Sequence, residues 1–193
     1  MGLTLANVLT MLRMVVIPFF IMAIGYNRSG WALLLFLLAG ITDLLDGLIA
    51  RVWKQQTVLG AILDPMADKL LLTAAFVMLA IPDGTKVFPE LVLTNRIPIY
   101  VVIIAISRDV FISLIALVMY MTMGMTRFPP SLPGKLTTVV NILTICTLLL
   151  GNHAQRELIV IGPLMVWLSL AVTLISGFHY IYLATRIANR AQI

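Results

Sequence analysis

The chain has 193 residues, of which 61% are hydrophobic and only 11% are charged. An ordinary soluble domain has about 45–50% apolar and about 25% charged residues, so this composition excludes a water-soluble globule and predicts a surface in contact with lipid. The 13 Lys and Arg residues, which give a net charge of +5, are scattered singly in loops and at helix ends. That distribution is typical of membrane topology and contact with anionic lipids, and not of nucleic-acid binding.

Hydropathy and turn residues predict an all-α polytopic membrane protein with six transmembrane helices, folded as a single domain over residues 1–193. At about 20 apolar residues per span, the chain has room for about six spans with short connections. The expected helices cover residues 4–25, 30–53, 57–81, 98–122, 136–151 and 158–187. Turn-forming segments rich in Pro, Gly and Asn separate them. Residues 1–24 have no basic start and no clear cleavage site, so we expect a retained first helix and not a signal peptide.

The distribution of basic residues predicts the orientation. Six spans place both termini on one side of the membrane, and that side holds six basic residues against four on the other. The excess predicts cytoplasmic termini, with the connection between helices 2 and 3 also on the cytoplasmic side. The six are Arg51, Lys54, Arg127, Lys135, Arg186 and Arg190, and the four are Arg28, Lys86, Arg96 and Arg156.

Four aspartates in the apolar helices 2 and 3 are the most informative feature: Asp43, Asp46, Asp64 and Asp68. A charged group near the bilayer centre costs at least ~2.5–3.5 kcal/mol, so four of them need compensation. Spacings of three and four residues place each pair on one helix face, and a turn near residues 55–56 brings both pairs to similar depth. The sequence therefore predicts a carboxylate cluster near the cytoplasmic face.

One or two divalent cations would neutralise such a cluster. Its ligands are all oxygen, which favours Mg²⁺, Mn²⁺ or Ca²⁺ over zinc or copper. Two metal ions bridged by carboxylates are a recurrent device for displacement at phosphorus, so phosphoryl or phosphatidyl transfer is one interpretation. Intramembrane carboxylates also mark ion and proton transporters, and their placement alone leaves the two interpretations equal. Nearby, Gly47, Ala50 and Gly60 allow a ligand to approach the backbone, and Arg51 can hold a phosphate by two hydrogen bonds.

The segment from Asp43 to Asp68 resembles a known family. It matches without a gap the pattern D-x2-D-G-x2-A-R-x8-G-x3-D-x3-D of the CDP-alcohol phosphatidyltransferases. Asn7, Thr10 and Arg13 resemble the N-terminal N-x2-T-x2-R of the same family, and the resemblance covers residues 5–150. It implies a six-helix membrane enzyme, commonly a homodimer, in the bacterial inner membrane. Such an enzyme displaces CMP from CDP-diacylglycerol with an alcohol hydroxyl.

The resemblance also implies roles for individual residues. Asp43, Asp46 and Asp64 would hold two Mg²⁺ or Mn²⁺ ions, with Asp68 as a further ligand and the general base. CDP-diacylglycerol would be held by Asn7, Thr10, Gly47, Ala50, Arg51 and Gly60, and the acceptor by Arg108 and Lys135. Simpler interpretations remain open for three groups. Asn7, Thr10 and Arg13 could form a polar stripe that packs against another helix, with Arg13 reaching to the membrane interface. Arg108 could form a local ion pair with Asp109, and Lys135 could be an interfacial anchor.

The acceptor alcohol is the least determined feature. Thr42, the run 63–69 and Gly134-Lys135 resemble the branch of the family whose acceptor is glycerol 3-phosphate. That branch usually has Glu after the later arginine, where this chain has Asp109, and the run 106–110 resembles the branch whose acceptor is phosphatidylglycerol. We expect glycerol 3-phosphate, because a short basic set of Arg108 and Lys135 suits a small phosphomonoester.

Overall fold

The computed structural model describes residues 5–52, 58–123, 132–154 and 158–191, with side chains described for 10–43, 66–119, 121, 132–153 and 160–187. Within these ranges the chain forms helices and connecting loops, with no strand. The number and order of the described helices agree with the prediction. They are α1 Leu5–Gly25, α2 Ser29–Val52, α3 Val58–Ala80, α4 Ile99–Met123, α5 Leu132–Ala154 and α6 Leu158–Ala191.

Two helices are longer than predicted. α5 begins at Leu132, not 136, so Pro133 and Gly134 are helical and Lys135 lies in the first turn of the helix instead of in a loop. Proline is well tolerated there, because the amide hydrogens of a first helical turn have no intrahelical partner. α6 continues to Ala191, beyond the expected end at 187, since residues 188–191 contain neither proline nor glycine.

The outer surface is that of an integral membrane protein. Three segments within the described helices are long and apolar enough to cross a bilayer: Ile99–Met119, Leu132–His153 and Val160–Ile187. α1 and α2 contribute the shorter apolar segments Thr10–Gly25 and Ser29–Asp43. Large apolar side chains face outward along the bundle, with Phe19 54%, Val110 62% and Phe178 71% exposed. So much exposed apolar surface is stable in lipid and not in water.

The bundle is built on pairs of neighbouring helices. α1 packs on α2 and α3, α5 packs on α6 and α2, and α4 packs on α6 and α3. The core between them is aliphatic and aromatic, and the rings of Phe20 on α1 and Phe36 on α2 lie 5.9 Å apart. This arrangement leaves polar side chains of α3, α4, α5 and α6 facing one another.

The connection of residues 81–98 lies at the end of the bundle where α3 ends and α4 begins. Asp83 accepts a hydrogen bond from the Leu93 amide at 2.9 Å and forms an ion pair with Arg96. The Asn152 side chain accepts from the Asn95 amide at 2.8 Å and donates to the Asn95 carbonyl at 2.9 Å. These bonds hold the connection against α5.

Candidate active site

A buried ion pair joins α1 to α2. Nη1 of Arg13 lies 2.7 Å from Oδ1 of Asp43, and the Arg13 side chain is only 1% exposed. Thr10, one turn earlier on α1, is also fully buried. Arg13 therefore points into the bundle, and the interpretation in which it reaches out to the membrane interface is wrong. Asp43 is 39% exposed, so its carboxylate also retains accessible surface.

The first and last aspartates of the four-aspartate motif face the same region. The Asp68 carboxylate on α3 is close enough to the Asp43 carboxylate for electrostatic repulsion between them, and it also repels Asp109 on α4. Arg13 and Lys69 supply positive charge nearby. Ionisable groups of α1, α2, α3 and α4 therefore lie in one region. Asp43 and Asp68 need positive charge there, because two neighbouring carboxylates repel each other.

The chemistry of the donors fits a hard divalent cation. Asp43 and Asp68 present only carboxylate oxygens, which Mg²⁺ and Mn²⁺ prefer. Within the described side chains no group of three or more His, Cys, Asp or Glu is close enough to hold an ion. Asp46 lies on α2 and Asp64 on α3, but their side chains are outside the described part. The same holds for the side chains at five predicted donor-site positions, Asn7, Gly47, Ala50, Arg51 and Gly60.

Asp68 also lines a partly open space, which we call the polar cavity, with a volume of about 110 Å³. α3, α4, α5 and α6 all contribute to its wall. Its polar lining consists of Asp68, Lys69, Thr73, Arg108, Asp109, Thr137, Thr138, Asn141 and Thr173. So many hydroxyl, amide and charged groups would be costly inside an apolar bundle unless the cavity holds water or a polar ligand.

A second space, the basic cavity, adjoins the first and has a volume of about 240 Å³. It is lined by three cations, Lys69, Arg108 and Lys135, together with Asp109, Ile112, Gly134, Thr138 and Tyr180. Lys69, Arg108, Asp109 and Thr138 line both cavities, so the two lie side by side. The structure thus brings the two predicted acceptor residues, Arg108 and Lys135, to one site beside Asp68.

Neighbouring side chains fix the Arg108 guanidinium in place. Nη1 donates to Oδ1 of Asp109 at 2.6 Å, and Nη2 donates to Oγ of Ser176 at 2.5 Å. Cζ lies 5.6 Å from the centre of the Tyr180 ring, within cation–π range. The local ion pair with Asp109 therefore exists, and Arg108 lines both cavities as well. A guanidinium has five N–H donors, so these two bonds leave others for a ligand.

Comparison with known proteins identifies the family. The family model of the CDP-alcohol phosphatidyltransferases matches residues 3–175. The chain belongs to the CDP-alcohol phosphatidyltransferase family.

The relatives within the family carry two different names. A Rickettsia felis protein named CDP-diacylglycerol–glycerol-3-phosphate 3-phosphatidyltransferase is 31% identical over 181 residues, which cover 91% of this chain and 92% of the relative. A Haemophilus influenzae protein of the same name is 33% identical over 179 residues, or 91% and 90% of the two chains. A Streptomyces coelicolor cardiolipin synthase (CMP-forming) is 38% identical over 112 residues, or 55% and 52%.

The sequence prediction for this CDP-alcohol phosphatidyltransferase missed the wall that α5 and α6 contribute to the site. Thr137 and Asn141 on α5 are four residues apart, and Thr173, Ser176 and Tyr180 on α6 are three and four apart. Each set therefore lies on one helix face. Polar residues at this spacing in otherwise apolar helices are the signal that would have found them.

Proposed function

We propose that this chain transfers the phosphatidyl group of CDP-diacylglycerol to the terminal hydroxyl of glycerol 3-phosphate, forming phosphatidylglycerophosphate and releasing CMP. Membership of the family supports the donor, and the names of relatives aligned over about nine-tenths of the chain support the acceptor. The observation that carries the choice is the basic cavity, where Lys69, Arg108 and Lys135 adjoin Asp68. A soluble acceptor with close to two negative charges needs such a set of cations.

In the proposed reaction the acceptor oxygen attacks the phosphatidyl phosphorus, the bond from that phosphorus to the CMP oxygen breaks, and CMP leaves. Asp68 takes the proton of the attacking hydroxyl, a role consistent with its place on the wall of the polar cavity. Asp43, Asp46, Asp64 and Asp68 would hold two Mg²⁺ or Mn²⁺ ions. Bound there, the ions would neutralise and orient the diphosphate.

The remaining predicted residues position the donor. Gly47, Ala50 and Gly60 would leave room for the cytidine diphosphate against α2 and α3, and Arg51 would bind its phosphates. Asn7 and Thr10 would approach it from α1. The ion pair of Arg13 with Asp43 supports this role, because it holds α1 against the helix that carries the first aspartate.

On the acceptor side, Arg108 is the main phosphate ligand. Its guanidinium is oriented before the acceptor binds, because Asp109 and Ser176 already hold it. Preorganisation lowers the entropy lost on binding. Lys135 in the first turn of α5 and Lys69 on α3 would add positive charge on either side of the acceptor phosphate.

The basic residues on the side of the termini support an inner-membrane protein with cytoplasmic termini and a cytoplasmic-facing site. We propose that all six helices span the membrane as one domain, and that the enzyme is a homodimer.

A second candidate is cardiolipin synthesis, with phosphatidylglycerol as the acceptor. Two observations favour it: the Streptomyces coelicolor relative, and Asp109 following Arg108. A phosphatidylglycerol acceptor is concentrated in the bilayer by its acyl chains and depends less on cationic residues.

An acceptor screen tests the proposal. The purified protein in detergent micelles receives CDP-diacylglycerol, Mg²⁺ or Mn²⁺, and either glycerol 3-phosphate or phosphatidylglycerol, and CMP and lipid products are measured. We expect CMP and phosphatidylglycerophosphate with glycerol 3-phosphate. Cardiolipin from phosphatidylglycerol, with no phosphatidylglycerophosphate, would establish the second candidate. Ion or proton flux into proteoliposomes without CMP release would instead favour a transporter.

A further inference from the structure

One wall of the polar cavity carries hydrogen-bonding groups that the proposed reaction does not use. Asn141 on α5 and Thr173 on α6 both line this cavity, on helices other than those of Asp68 and Arg108. Neither residue carries a charge, so neither is suited to neutralise a phosphate. Amide and hydroxyl groups that line a cavity are suited to recognise hydroxyl groups.

The amide of Asn141 has a defined orientation. Oγ of Ser169 on α6 donates to Oδ1 of Asn141 at 2.7 Å, and Ser169 is only 1% exposed. Because the amide oxygen is held by this bond, the amide nitrogen points away from Ser169. Among the described residues, no group accepts a hydrogen bond from Nδ2 of Asn141, and Asn141 lines the polar cavity. Its two N–H donors are therefore available to a ligand.

Thr173 adds a second group of the same kind. Its hydroxyl has no hydrogen-bond partner in the described part of the chain, although the residue is only 3% exposed. Thr137 differs, because its Oγ1 already donates to the Pro133 carbonyl at 2.8 Å and retains only acceptor capacity. The wall thus offers the amide donors of Asn141 beside hydroxyls that can accept.

The size and position of the cavity restrict what can bind there. Its volume of about 110 Å³ leaves room for several water molecules. That space also suits a short polyol. An acceptor whose phosphate lies among Lys69, Arg108 and Lys135 would extend its carbon chain past Asp68 into this space.

We propose that Asn141, oriented by Ser169, donates a hydrogen bond to the hydroxyl adjacent to the reacting one, and that this contact selects vicinal-diol acceptors. The inference rests on the proposed function and adds a specificity-determining residue to it. Thr173 contacts the same hydroxyl from α6. Ser169 is a positioning residue, because it acts on the acceptor only through the Asn141 amide.

The test compares two acceptors in the same enzyme. Glycerol 3-phosphate has the adjacent hydroxyl, and 3-hydroxypropyl phosphate lacks it but keeps the reacting hydroxyl and the phosphate. We expect the wild-type kcat/KM to be about tenfold higher for glycerol 3-phosphate, the contribution of one buried hydrogen bond. In Asn141→Leu we expect the ratio to fall toward one, through a higher KM for glycerol 3-phosphate and an unchanged KM for the analogue, with the contact from Thr173 remaining.

Further variants separate recognition from folding. Asn141→Asp keeps an oxygen that accepts the hydrogen bond from Ser169 but removes the two N–H donors. The ratio of kcat/KM for glycerol 3-phosphate to that for the analogue should therefore fall, even where the added charge weakens binding of both substrates. Ser169→Ala should lower the ratio about two- to fivefold with kcat nearly unchanged. Thr144→Val is the matched control: Thr144 is a buried hydroxyl that bonds the Val140 and Met165 carbonyls and does not line the cavity. Its ratio should equal that of the wild type.

The outcomes are distinguishable. Product from glycerol 3-phosphate with no wild-type preference over the analogue, or with the preference intact in both Asn141 variants, overturns this inference and leaves the proposed function standing. No product from either phosphate acceptor, with cardiolipin formed from phosphatidylglycerol, overturns the proposed function and this inference with it.

Discussion

Replacing Arg108 by alanine is the most direct test of the acceptor site. The variant removes a guanidinium that is 15% exposed and is held by Asp109 and Ser176. Both partners remain in place, and so do Lys69 and Lys135, the other cations of the basic cavity. The change therefore removes one ligand of the acceptor phosphate and leaves the rest of the cavity wall.

The expected effect on binding exceeds the expected effect on stability. A hydrogen bond to a charged group contributes about 1.5–3 kcal/mol, so losing one raises KM for glycerol 3-phosphate about 10- to 150-fold. Asp109 loses its partner, but its side chain is 37% exposed and stays partly hydrated. A partly exposed ion pair contributes only about 1 kcal/mol or less, so the protein should remain folded.

The assay is steady-state kinetics in mixed micelles with radiolabelled glycerol 3-phosphate, in which each substrate is varied in turn. We expect KM for CDP-diacylglycerol to change less than about threefold. Arg96→Ala is the matched control: Arg96 pairs with Asp83 in the 81–98 connection and does not line either cavity, so both KM values should match the wild type. An unchanged KM for glycerol 3-phosphate in Arg108→Ala, or an equal rise for both substrates, would refute the assignment of Arg108 to the acceptor phosphate.

Further predictions concern the metal ions, the base and two other cations. EDTA should abolish CMP release and Mg²⁺ or Mn²⁺ should restore it; full turnover in metal-free buffer would contradict this. Asp68→Asn should abolish transfer while CDP-diacylglycerol still binds in a direct binding assay, and near-normal turnover would exclude Asp68 as the base. Lys135→Ala should raise KM for glycerol 3-phosphate by less than Arg108→Ala does, because an ammonium group is better hydrated than a guanidinium. A larger rise than in Arg108→Ala would mean that Lys135 is the main ligand of the acceptor phosphate. Arg13→Leu should lower the melting temperature in detergent by leaving Asp43 unpaired, and adding Asp43→Asn should restore part of it; no recovery would mean that the loss is one of packing.

The number and order of the helices could be predicted because they depend on local properties. Lipid requires long apolar segments with internally bonded backbones, and the residues between them form turns. The difference at the start of α5 has a local cause: turn-forming residues indicate a loop up to residue 135, although a proline in the first turn, here Pro133, costs a helix little. Spacing alone predicts that Asp43 shares a helix face with Asp46, and Asp68 with Asp64, since three or four residues make about one turn.

Which helix faces meet was decided by tertiary packing. Arg108 bonds Ser176, 68 residues later in the chain, and Ser169 bonds Asn141, 28 residues earlier. Arg13 lies on a face that could have pointed to lipid headgroups, but packing of α1 on α2 directs it to Asp43. Periodicity determines which residues share a face of one helix, whereas the fit between side chains of different helices determines which faces come together. The carboxylate motif could therefore be recognised from the sequence. The polar and basic cavities could not, because they form only when the helices pack together.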